Sequence, residues 1–173
     1  MQLPLMYSRY VETTSFKDFM SMIPASVSVI GVVKEAQILG CTISSLVSLN
    51  IVNPELMFVL RNGSTLLNAI DHEGVFSINV LSDRQKDLAD HYSSAREIES
   101  LDNTKNPWKV TGPGSIVLEN SKVSFVCRLK RREQLETSTL IFCTPEVAVG
   151  SVDTSPLTYS NRDYFSLSKL SNI

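Results

Sequence analysis

The stretch from Gly40 to Thr65 constrains the fold more than any other part of this chain. Its first part, Gly40-Cys41-Thr42-Ile43-Ser44-Ser45-Leu46-Val47-Ser48, concentrates hydroxyl side chains where a half-buried strand would carry alternating aliphatics. The run Leu56-Met57-Phe58-Val59-Leu60 follows, unbroken and apolar, as in a strand covered on both faces. Arg61-Asn62-Gly63 then breaks that strand, and Ser64 stands as the N-cap of a short helix reaching Asp71. Val47, Leu49 and Ile51 share a face, but the phase is lost at Ser45-Leu46, the mark of a bulge or an early strand end. Hydroxyls on a strand end and N–H groups at a helix start, facing one another across a gap, suit an anion that carries a polar ring system.

On either side the pattern stays that of a β protein with short helices. Thr14 or Ser15 opens a helix whose apolar positions Phe16, Phe19, Met20 and Ile23 recur at helical spacing, and Pro24 stops it. Strands are expected over 25–33 and 75–81, the second after Gly74 has ended the Ser64 helix. Ser82 and Gln85 form a capping-box pattern ahead of a helix with Leu88, Ala89 and Tyr92 on its apolar stripe. Residues 94–114 read as a long connection. Ser121 to Arg132 reads as a strand with Val123, Phe125, Cys127 and Leu129 on one face, and Thr139 to Val152 pairs back against it with Pro145 confined to an edge or a bulge. Six or more strands with short turns and two or three small helices argue a closed antiparallel barrel, a single domain over residues 1–173.

A chain of 173 residues is long enough to bury a core without a disulfide or metal staple. A formal charge of −2 without a basic cluster gives no electrostatic footprint for nucleic acid. Cys41, Cys127 and Cys143 lack metal spacing, neither histidine has a suitably spaced partner, and no Gly-x-Ser-x-Gly element is present. Neither a secretory leader nor an apolar run long enough to span a bilayer is seen, so the expected location is cytoplasmic, with reduced thiols and no membrane.

The order Gly40-Cys41-Thr42-Ile43-Ser44-Ser45, Ser48-Leu49-Asn50-Ile51-Val52-Asn53-Pro54, Leu56 to Leu60 and Arg61-Asn62-Gly63-Ser64-Thr65 resembles the flavin reductase-like proteins with an FMN-binding split β-barrel. The likeness extends over roughly residues 15–165, through Pro24 to Ile30, Phe76 to Leu81 and the closing stretch Pro156 to Phe165. It implies a mainly β fold with short helices, a split antiparallel β-barrel that binds FMN or FAD. Thr42, Ile43, Ser44, Ser45, Leu46, Val47 and Ser48 would line the ring system, and Arg61, Asn62, Ser64 and Thr65 the phosphate. Read without the resemblance, the serines cap a twisted strand and Asn62-Gly63 is a plain turn.

The implied activity is hydride transfer from NAD(P)H to flavin, with no catalytic side chain and no metal, by a homodimer that passes reduced flavin to a partner monooxygenase. Contacts to the nicotinamide dinucleotide are expected from His91, Ser138, Tyr159, Arg162 and Tyr164, although His91 also reads as a surface residue. The chain departs from the family at Glu136-Thr137-Ser138, where many NADH-using members carry Gly-Asp-His and Ser138 stands in place of the histidine. That departure leaves two alternatives: a flavin-binding protein that does not turn over NAD(P)H, or a barrel that has lost flavin and binds another small ligand.

Overall fold

A computed structural model describes residues 13–93, 98–100, 107–150 and 153–168, with the backbone alone at Thr14 and 98–100. Helix α1 (Thr13–Ser21) ends before Pro24. Strands β1 (Ala25–Ser26) and β2 (Ser28–Lys34) replace the single strand expected over 25–33, because Val27 leaves the ladder, its N–H donating to Leu157 and its carbonyl accepting from Leu81. A turn at Glu35 and Ala36 leads into β3 (Gln37–Ile43). Ser44 to Leu46 lie outside any strand and β4 (Val47–Asn50) begins beyond them, so the phase break is the end of a strand.

After β5 (Glu55–Arg61), Ser64 caps α2 (Thr65–Glu73) by accepting the Leu67 N–H at 3.2 Å, and Gly74 closes the helix at φ 70°. Strand β6 (Val75–Val80) leads to α3 (Lys86–Ser93), ahead of which the Ser82 N–H donates to Gln85 Oε1 at 2.9 Å, the reach-back half of the expected box. The connection expected over 94–114 holds β7 (Ile98–Ser100) and β8 (Trp108–Gly112), and Pro113-Gly114 turns β8 into β9 (Ser115–Leu118); 94–97 and 101–106 lie outside the described residues. The chain continues through β10 (Val123–Gln134), β11 (Ser138–Gly150), β12 (Leu157–Ser160) and β13 (Asp163–Ser166).

Eight strands form one antiparallel sheet in the order β4-β5-β11-β10-β6-β2-β3-β7, beside a three-stranded sheet β1-β12-β13 and the β8-β9 hairpin. The strands thus do not close into one hydrogen-bonded ring as the strand count alone suggests; the barrel is split. One core cluster packs Leu66, Leu67 and Ile70 of α2 against Phe58 and Phe76, whose rings meet edge-on at 5.7 Å. A second joins Tyr92 of α3 to Trp108, Leu118 and Leu157. Buried Asn79 links β6 to its neighbours, donating to the Val29 carbonyl at 3.0 Å and accepting the Leu118 N–H at 2.9 Å.

Three packing expectations change. In β10 a register shift between Val126 and Cys127 breaks the alternation, so Ser124 and Val126 are buried beside Cys127. Pro145 stands opposite Cys127 at that irregularity and beyond the last β11 residue paired with β5, where its missing N–H breaks no ladder. In β5, Leu56, Phe58 and Leu60 are buried but Met57 and Val59 only half-buried, because nothing among the described residues covers the outer face. The apolar positions of α1 are likewise open, with Phe16 54% and Met20 48% exposed, and Ile23, expected on the same stripe, lies beyond the helix end and is 56% exposed.

Candidate functional site

A pair of opposed glycines positions one wall of a cavity between α3 and the β12-β13 turn. Gly31 and Gly40 face each other across β2 and β3. A Cβ on Gly40 would stand 2.4 Å from Tyr92 Cδ1, and one on Gly31 would stand 2.4 Å from Trp108. The two aromatic rings fill that space and are locked together, Trp108 Nε1 donating to the Tyr92 hydroxyl at 2.7 Å. Tyr92 thereby seats α3 against β3, where Thr42 Oγ1 donates to the Ala89 carbonyl at 2.8 Å.

The cavity at this junction has a volume of about 380 Å³ and is lined by Thr42, Ile43 and Ser44 on one side and by Tyr159, Arg162 and Tyr164 on the other. Val27, Asp90 and Ser93 complete it. Lys86 donates to Asp90 at 2.6 Å, holding that carboxyl below the usual carboxylate range, with the Tyr164 hydroxyl bond acting in the same direction. Tyr164 is pushed up to about 12, first by burial and then by the bond it donates to Asp90. Lys86 also stands 5.2 Å over the Tyr164 ring. Asp90 and Ser93, one turn apart on α3, were not singled out from the sequence; their i, i+3 spacing flanking His91 was the available signal. His91 itself does not line the cavity, and its ring meets Tyr92 edge-on at 4.7 Å.

The second half of the Gly40-to-Thr65 stretch lies outside this cavity. Arg61 is exposed and forms no ion pair with a described residue. Its charge nonetheless reaches β3: burial pushes the Cys41 thiol up, and the Arg61 guanidinium opposes that rise. Beside it, α2 is nine residues long, and with Leu67 N–H satisfied by Ser64, the Thr65 and Leu66 N–H groups remain outside the helical ladder. Asn62 serves the turn, its Nδ2 donating to Leu135 and Glu136 carbonyls at 2.9 and 3.2 Å and its Oδ1 accepting from Thr139 at 2.7 Å. Ser138 stands opposite Arg61 in the β11-β5 register and is not part of the cavity. Ser45 Oγ accepts the Val59 N–H at 3.0 Å, tying the irregular 44–46 segment to β5, while Val47 and Ser48 are exposed on β4.

The donor and acceptor roles still open suit a flat heteroaromatic edge. Thr42 has committed its proton and can only accept from a ligand; Ser45 has committed a lone pair and keeps its O–H to donate. Exposed Ser44 adds a hydroxyl between them. Among the described residues no group of three or more His, Cys, Asp and Glu could hold a metal ion, and no helix is long and apolar enough to cross a membrane.

The model of the flavin reductase like domain matches residues 20–168. The FMN reductase (NADH) RutF of Serratia proteamaculans (strain 568) is 25% identical over 162 residues, covering 94% of this chain and 92% of the relative. The Streptomyces globisporus C-1027 NADH:FAD oxidoreductase SgcE6 superposes with a TM-score of 0.83 at 14% identity, over 94% of this chain and 99% of the other. The styrene monooxygenase flavin reductase SMOB from Pseudomonas putida S12 gives 0.77 at 19% identity, over 90% and 98%. Those two likenesses concern the fold.

Proposed function

Since this chain belongs to the flavin reductase like domain family, we propose that it is a flavin reductase, taking hydride from NAD(P)H to FMN or FAD. The observation that carries this reading is the cavity in which Thr42, Ile43 and Ser44 face Tyr159, Arg162 and Tyr164. The hydroxyls of Thr42 and Ser44 in the cavity, with Ser45 next in the chain, fit the alternating carbonyls and imide N–H of an isoalloxazine edge. Exposed Arg61 and the open N–H groups of Thr65 and Leu66 fit its phosphate.

When bound, a flavin supplies the hydride-accepting chemistry itself. The chain's task is to fix that ring and leave room for a nicotinamide at about 3–3.5 Å, which needs an open face and no side-chain acid or base. Tyr159, Arg162 and Tyr164 are the residues we assign to the dinucleotide. Ser138 bears little on turnover, because it lies outside the cavity.

The partner reading is a homodimer. Val47, Met57, Val59 and Leu140 stand in neighbouring register on the outer face of β4, β5 and β11, and each is at least half-exposed or only partly covered. A second copy laid on this strip would give Leu56 to Leu60 the two covered faces its composition suggests. The SMOB relative, named as the flavin reductase of a styrene monooxygenase, supports delivery of reduced flavin to a partner monooxygenase. Free Cys41, Cys127 and Cys143 agree with the cytoplasm.

The direct test is to follow NADH and NADPH consumption by catalytic amounts of protein with FMN or FAD. Turnover with at least one pair is expected. None with any pair overturns the reductase reading and leaves either a flavin-binding protein that is not a reductase or a barrel that has lost flavin.

A further inference from the structure

A separate cavity, of about 720 Å³, lies among the entry to α3, the β9-β10 turn and the end of β11, and shares no lining residue with the first. The two stand at opposite ends of α3: Arg84 and Gln85, ahead of the helix, line this one, and Asp90 and Ser93 line the other. Its walls are tied together. Gln85 Nε2 donates to the Glu119 carbonyl at 2.8 Å, joining the entry of α3 to the turn after β9. The Asp83 N–H donates to the Ser155 carbonyl at 2.8 Å and Lys122 Nζ to the Thr154 carbonyl at 2.6 Å, which pins that segment to α3 and β10.

The bonding around this cavity is incomplete. Ser121 lines it and is 8% exposed, and its Oγ has no hydrogen-bond partner among the described residues. Thr154 Oγ1, also of a lining residue, is buried and unpartnered in the same sense. A buried hydroxyl without a partner costs free energy, and two at one cavity point to a molecule that completes their bonds. The charge left over on the walls is positive. Lys109 and Glu119 neutralise each other at 3.1 Å, while exposed Arg84 has no ion-pair partner among the described residues. Leu88, Val117, Leu118 and Val149 supply apolar surface beside these groups. We infer that this cavity is a second ligand site, for a small organic carboxylate. Arg84 and the hydroxyls of Ser121 and Thr154 take the anion, and its hydrocarbon body lies on the apolar side chains. A bare inorganic anion would leave that apolar surface unused, and an uncharged ligand would leave Arg84 unused.

The test is calorimetric titration of the full chain with benzoate and hexanoate, against benzamide and inorganic phosphate, with and without saturating FMN. At least one of the two carboxylates should bind once per chain, about tenfold or more tighter than benzamide or phosphate, the worth of a charge-assisted contact. FMN should not displace it. Arg84→Gln should weaken it about tenfold. Ser121→Ala should weaken it severalfold while leaving the denaturant midpoint at or above that of wild type, since the hydroxyl removed has no partner in the protein. A hydroxyl that served the fold would instead cost stability on removal. The inference fails if neither carboxylate binds, if phosphate or benzamide binds as tightly, if FMN displaces the carboxylate, or if both variants bind it as wild type does.

Discussion

Gly40 shows how much one hydrogen atom can decide. Any side chain there meets Tyr92, and Tyr92 cannot yield cheaply because Trp108 holds it from behind. We predict that Gly40→Ala costs about 1–3 kcal/mol by overpacking, read from denaturant unfolding, and weakens FMN as α3 is pushed off β3. Arg61 belongs to the other half of the site. Arg61→Ala should lower FMN affinity by about ten- to a hundred-fold, the worth of a charge-assisted hydrogen bond, and leave riboflavin unaffected. Equal losses for both would detach the arginine from the phosphate. Tyr164 gives a pH signature. Its folded value of about 12 lies above the ordinary value near 10, so above pH ~10 the unfolded chain sheds this proton while the folded one keeps it. Stability should therefore fall between pH ~10 and ~12, less steeply in Tyr164→Phe. The sequence displays Gly40 and Arg61 plainly, but the reason for Gly40 lies with Tyr92 and Trp108, far along the chain.

Elements whose pattern is set by near neighbours were legible, and those set by a partner strand were not. The Ser64 cap and the Gly74 stop are local chemistry and stand as read, and the phase break at Ser45-Leu46, read as a bulge or a strand end, is a strand end. The irregularity at Val126 is different: it exists because β11 contributes an additional residue opposite β10 there, and no property of Val126 announces it. Likewise β8 and β9 have short, weakly patterned sequences whose order comes from Trp108 behind Gly31 and from Asn79 accepting the Leu118 N–H. Replacing Asn79 by Ala would strand that buried N–H and should cost about 1–3 kcal/mol in denaturant unfolding. At the site, β12 and β13 bring Arg162 to the cavity while the β11 start keeps Ser138 away. Accordingly Arg162→Ala should raise the Michaelis constant for NADH about tenfold or more, the loss of a charged contact. Ser138→His should leave it within about twofold; a marked drop instead would bring the β11 start into the nicotinamide site.

At the scale of the whole molecule, the outer strip of Val47, Met57, Val59 and Leu140 is a surface that no described residue covers. Light scattering at micromolar concentration should give twice the chain mass of 19.2 kDa, and Met57→Lys should shift it toward the single chain. A wild-type monomer would leave the strip without the occupant assigned to it. Hydride transfer is tested by mixing protein loaded with FMN with NADH in the absence of oxygen. The yellow flavin absorbance should disappear in proportion to NADH added, faster than for free FMN. Absorbance that persists with excess NADH and excess NADPH would contradict it.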